Sequence, residues 1–119
     1  HGAQSWENTL LILAQHSVHV LPSLRESPGL ASLEALLLGL NGVVAAARYC
    51  PIASYFEPWR AAGRVQVCDP LSVDSLRESV LKALQQVRPP ALLAQADITC
   101  LPCVADDVRQ WLSTKVMDL

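Results

Sequence analysis

Residues 30–47 read LASLEALLLGLNGVVAAA, and how this stretch is divided decides the fold. A single helix over 31–48 would carry Gly39, Asn41 and Gly42 in its interior, at up to about 1 kcal/mol per glycine. Asn41-Gly42 is a strong carboxyl-terminal stop for a helix. The stretch therefore reads as a helix over 30–40 followed by a buried strand over 43–47. The helix is apolar nearly all round, broken only by Ser32 and Glu34, so it is buried on most sides. The strand reading works against its alanines, which are poor strand formers.

Working outward, the same layout recurs: a short apolar run, a turn, then an amphipathic stretch. The runs start at residues 18, 43, 65 and 91, that is 25, 22 and 26 residues apart. Such spacing suits a strand plus its crossover helix. The expected fold class is α/β: a small domain of three or four short, mainly parallel strands flanked by helices. The alternative is an all-α helical bundle, because leucine is abundant and β-branched residues are scarce.

Residues 5–16 are expected to be helical, with Ser5 as cap and Glu7 in the first turn. Strand 18–21 ends at Pro22, and Ser27-Pro28 offers a helix start. Residues 51–62 should be an irregular helix, since Pro58 removes a donor, with Gly63 closing it. Strand 65–68 ends at Asp69-Pro70. Ser72 then caps helix 73–87, whose Val73, Leu76, Val80, Leu84 and Val87 form one stripe at helical spacing. A fourth strand over 91–96 and a last helix over 104–117 complete the expectation.

The 119 residues read as one domain, 1–119. The chain opens His1-Gly2-Ala3, which fits a domain taken from a larger protein. Hydrophobic residues make up 51% and charged residues 17%. An ordinary soluble domain has about 25% charged residues, so part of the surface is expected to be covered by another chain. Nine basic and eleven acidic residues are mixed, for a net charge of −2. With no basic stripe, nucleic-acid binding lacks its electrostatic footprint. No apolar run reaches the length of a membrane span.

Four cysteines are too few for a disulfide scaffold at this length, which points to a reduced, intracellular compartment. Cys50, Cys68, Cys100 and Cys103 all fall near the carboxyl ends of the expected strands. Cys100-Leu101-Pro102-Cys103 has the spacing of zinc and redox dithiols. Against a metal site, Cys50 and Cys68 are far apart in sequence, and free cysteine is commonly buried. Against a redox site, Thr99 stands where an aromatic usually precedes such a pair. His16 and His19 read as structural histidines.

Asp69 and Asp97 sit at or beyond strand ends, where α/β enzymes place acids. Yet Pro22-Ser23-Leu24-Arg25 stands where a glycine-rich phosphate loop would be, and no GxSxG elbow occurs. No enzyme activity and no cofactor are expected. A helix-turn-helix reading of 91–114 is an alternative, but Asp106 and Asp107 make its last helix poorly suited to DNA.

Residues 48–64 hold Tyr49, Tyr55, Phe56 and Trp59, with Arg48, Arg60 and Arg64 around them. Tyrosine, tryptophan and arginine combine large burial with polar reach, the chemistry of interface hot spots. The expected function is a non-catalytic protein–protein interaction or assembly domain of a larger intracellular protein or complex. Tyr49, Tyr55, Phe56, Trp59 and Arg60 are its candidate contacts, with a protein partner or a second copy as occupant. A cysteine-dependent metal or thiol-redox domain is the second reading.

Overall fold

The apolar runs at 18, 43 and 65 form three parallel strands in one sheet, in a computed structural model that describes residues 2–26 and 29–88. They are β1 (Val18–Leu21), β2 (Asn41–Ala45) and β3 (Val65–Cys68), in the spatial order β1-β2-β3. Val18 pairs with Asn41 and Leu21 with Val44; Gly42 pairs with Val65 and Ala45 with Cys68. Helices flank the sheet, so the α/β expectation holds. The expected strand at 91–96 and the helix at 104–117 lie outside the described residues.

Helix α1 (Trp6–Ala14) begins where Ser5 Oγ accepts a hydrogen bond from the Asn8 amide, the capping role its sequence suggests. Helix α2 (Leu30–Leu37) is the apolar helix, ending three residues short of the expected stop. Gly39, at φ 84°, is the residue that turns the chain. That conformation is open to glycine without steric cost. Asn41 and Gly42 therefore open β2 instead of closing α2, for a tertiary reason. A Cβ on Gly42 would stand 3.3 Å from Val65 Cγ2 and 3.5 Å from Leu36 Cδ2, so the small residue lets β3 and α2 close on the strand. Asn41 bonds to the helix on the opposite face, as described below.

Pro58 divides the next segment as expected. Helix α3 (Ile52–Tyr55) stops at Phe56, and α4 (Glu57–Ala61) restarts with Pro58 in its first turn, where the missing donor is harmless. Helix α5 (Val73–Gln85) starts at Ser72, whose Oγ accepts from the Ser75 amide.

Two cores separate on the two faces of the sheet. Leu10, Leu33, Leu36, Leu40, Val44, Ile52, Phe56 and Val65 join α1, α2 and α3 to one face. Val43, Cys68 and Ala83, with Val18, Leu76 and Val80 against them, join α5 to the other. Strand β2 is buried along its whole length, which is what helices on both faces of a parallel sheet require. Both crossovers on the first face run in one direction. Helix α5 then returns across β3, β2 and β1 on the second face. Its expected core stripe is only half used: Leu76 and Val80 pack inward, while Val73, Leu84 and Val87 are exposed by 82%, 57% and 88%.

Candidate functional site

The carboxyl ends of the strands lead into three loops that meet on one edge. The loop after β1 supplies Leu24, Arg25 and Glu26; the loop after β2 supplies Arg48, Tyr49 and Pro51; the loop after β3 supplies Asp69 and Leu71. An open crevice of about 550 Å³ lies between the first two, lined by Leu24, Arg25, Glu26, Tyr49 and Pro51.

Asp69 organises this edge. Its Oδ2 receives Arg48 Nη2 at 2.7 Å, and its Oδ1 receives the Leu71 amide at 2.9 Å. The Tyr49 hydroxyl lies close enough to the same carboxylate for Asp69 to raise its pKa. Arg48 also lies over the Tyr49 ring, 4.7 Å from its centroid, close enough for a cation–π contact. The Leu71 amide, foremost, holds the Asp69 carboxyl below its ordinary pKa, aided by Tyr49 and Arg48. The Asp69 carboxylate is the main reason the Tyr49 phenol is raised above 10.0. The Arg48–Asp69 pair is solvent-exposed and contributes at most about 1 kcal/mol, so its effect is to orient the loops. Neither the acid nor the phenol is set up as a proton donor near neutral pH, since both shifts move away from it.

The expected contact residues divide. Tyr49 is half-buried and lines the crevice. Tyr55 is half-buried on α3. Phe56 is fully buried, with Trp59 edge-on to it at 5.8 Å between ring centroids. Phe56 thus supports the surface from below, and half-buried Trp59 packs against the same core. Arg60 pairs with Glu57 on its own helix, Nη1 to Oε2 at 2.6 Å. Arg64 leaves the aromatic cluster altogether. Its Nη2 donates to the carbonyls of Leu36 (3.1 Å) and Leu40 (3.0 Å), and burial lowers its pKa. The Leu36 carbonyl also accepts the Gly39 amide at 3.1 Å, so Arg64 adds a second donor at the end of α2.

Sequence reasoning passed over Leu24, Arg25, Glu26 and Leu71 as components of a site. The available signal was their position: each falls just after a strand, on the edge where parallel sheets place ligands.

The cysteines do not converge among the described residues. Cys50 belongs to the core under α2 and α3, Cys68 to the core under α5, and both are free thiols. Cys50 Sγ–H points at the Glu26 carbonyl, 3.8 Å away. No group of three or more His, Cys, Asp or Glu among the described residues is placed to hold a metal. Cys100, Cys103 and Asp97, and the helix-turn-helix reading of 91–114, lie outside the described residues. His16 Nδ1 is 2.7 Å from the Ile12 carbonyl, and His19 Nε2 is 3.1 Å from Ser32 Oγ, both local structural roles. No described helix is long and apolar enough to cross a membrane.

Fold and edge together define the class of this chain: a parallel α/β domain with helices on both faces and its loop site at the carboxyl edge. Comparison with known proteins adds no name to that class, since no family model, curated protein or solved structure matches the chain.

Proposed function

We propose that this chain is a non-catalytic protein–protein interaction and assembly domain of a larger intracellular protein or complex, docking its partner on the carboxyl edge of the sheet. One observation carries the reading. Leu24 and Leu71, exposed by 52% and 72%, adjoin the Arg48–Tyr49–Asp69 cluster: Leu24 lines the crevice with Tyr49, and the Leu71 amide donates to Asp69. Apolar side chains around an oriented tyrosine and arginine are the composition of an interface centre. Exposed leucines stand on two of the three loops of this edge, Leu24 after β1 and Leu71 after β3. Two free, buried thiols suit a reduced compartment.

Tyr49 is the member of the aromatic cluster at the centre of this surface. Tyr55 on α3, and Trp59 and Arg60 on α4, would extend it, with Phe56 beneath them. The polar rim of Arg25 and Glu26 favours a partner that presents charge of both signs around an apolar side chain.

The test places a photo-crosslinking residue at Leu71 and, as a control on the outer side of α5, at Glu78. Light scattering on the full chain gives its mass before and after irradiation. A discrete adduct at position 71, with a second copy or with one partner, is expected. It should be absent at position 78 and lost in a Tyr49→Ala background that keeps its thermal transition. Equal labelling at 71 and 78 in a folded chain refutes docking at this edge.

A further inference from the structure

We propose that Asn41-Gly42 is a deamidation site held closed by the fold, so that prolonged unfolding modifies the chain and blocks its return. Asparagine followed by glycine is the sequence most prone to this reaction, because glycine has no side chain to shield its nitrogen. Gly42 N, once it loses its proton to base, attacks Asn41 Cγ. The N–Cγ bond forms, the Cγ–Nδ2 bond breaks, and Nδ2 takes up a proton and leaves as ammonia. Water then opens the resulting five-membered succinimide at either carbonyl, giving aspartate or isoaspartate at position 41. Water is the only co-reactant, and nothing is oxidised or reduced.

The fold blocks each step. Gly42 N–H donates to the Arg64 carbonyl at 2.8 Å, so the proton that must leave is held in the ladder between β2 and β3. The leaving group Nδ2 donates to the Ala83 carbonyl at 3.2 Å and the Gln86 carbonyl at 3.1 Å. The amide carbon is thereby held toward α5, on one face of the sheet, while the attacking nitrogen points along the sheet to β3. Asn41 is 1% exposed and Gly42 is buried, so base and water do not reach the pair. Ring closure therefore needs an opening that frees β2 from both α5 and β3.

The same contacts reject the product. Aspartate places an oxygen where Nδ2 donated, facing two carbonyl oxygens that then lose their donor. Isoaspartate also adds a methylene to the backbone of the central strand. That insertion falls between Asn41, paired with Val18, and Gly42, paired with Val65, so the ladders to β1 and β3 no longer fit together. A chain that stays folded keeps its asparagine, and a chain left unfolded becomes one that cannot re-form the centre of the sheet. The chain's other asparagine, Asn8, precedes Thr9 and stands exposed on α1, where it serves as an internal control.

The full chain is incubated in mildly alkaline heavy-oxygen water, folded in buffer and unfolded in urea, and peptide mass mapping follows label at positions 41 and 8. In urea, position 41 should convert well ahead of position 8. In buffer, conversion at 41 should be slower by at least about 100-fold, and by no less than the protection of the Gly42 amide against hydrogen exchange. Brief exposure to urea should be fully reversible, whereas after long exposure the converted chains should lack the cooperative unfolding transition of the unconverted ones. Asn41→Gln, which would have to close a six-membered ring, should show almost no conversion in urea, whether or not it folds. Conversion at 41 in folded chain at the urea rate would overturn the proposal. So would equal conversion at 8 and 41 in urea, or converted chains that refold with an undiminished transition.

Discussion

Asn41→Ala should destabilise the domain by about 2–4 kcal/mol. Asn41 is 1% exposed, and its Nδ2 spans from β2 to two carbonyls at the end of α5, Ala83 at 3.2 Å and Gln86 at 3.1 Å. Each such bond is worth about 1 kcal/mol net, and the buried volume removed with the side chain adds to the loss. The Ala83 carbonyl keeps the Gln86 amide as a donor at 3.3 Å, so the loss comes from the two Asn41 bonds and that volume. Oδ1 of Asn41 has no hydrogen-bond partner, so truncation releases no bond on that side. Asn41→Asp sharpens the test. A carboxylate there faces two carbonyl oxygens, and burial raises its pKa above the unfolded value near 4. The unfolded state then loses its proton first, so stability falls as pH rises above about 4. Urea unfolding of both variants at pH 5 and pH 8 measures this. The alanine variant should lose the same amount at both values, and the aspartate variant more at pH 8. A loss below about 0.5 kcal/mol in Asn41→Ala, or an aspartate cost independent of pH, would refute the role of Asn41 as the tie between α5 and the sheet.

Two further outcomes follow from the buried titratable groups. Burial holds His19 below its ordinary value of 6.5, so the unfolded chain binds its proton first as pH falls. Its contribution to stability is complete above pH 6.5 and is lost as pH falls from there toward the folded pKa, and His19→Gln should flatten that part of a stability–pH curve. Cys50 and Cys68 are 0% and 2% exposed, and burial, with the charge of Asp69, raises the Cys68 thiol pKa. Both should resist a thiol reagent in native buffer and react together through the urea transition; rapid labelling of Cys68 in the folded chain would contradict its placement under α5.

The elements legible in the sequence were those set by local chemistry. Val18–Leu21 and Val65–Cys68 lie where alternation and flanking prolines put them, and Ser5 and Ser72 cap the helices their hydroxyls precede. Pro58 breaks the middle helix because a missing donor is tolerated only in a first turn. The Asn41-Gly42 pair misled as a stop signal, since both residues are selected by neighbours distant in sequence. Gly42 is small for Val65 and Leu36, and Asn41 is polar for the carbonyls of α5.

The candidate site was less legible. The aromatic cluster was visible in composition, but burial divides its members. Phe56 goes under the surface, Tyr49 to the crevice, and Arg64 to the end of α2. Leu71 and Leu24 look like any loop leucine until the loops after β1, β2 and β3 are brought to one edge. Caps, turns and strand runs depend on contacts within a few residues, so the sequence by itself determined the order and type of the described elements. Which residues are covered depends on contacts between residues tens of positions apart, such as Arg48 with Asp69 and Asn41 with Ala83, and those only the tertiary structure decided.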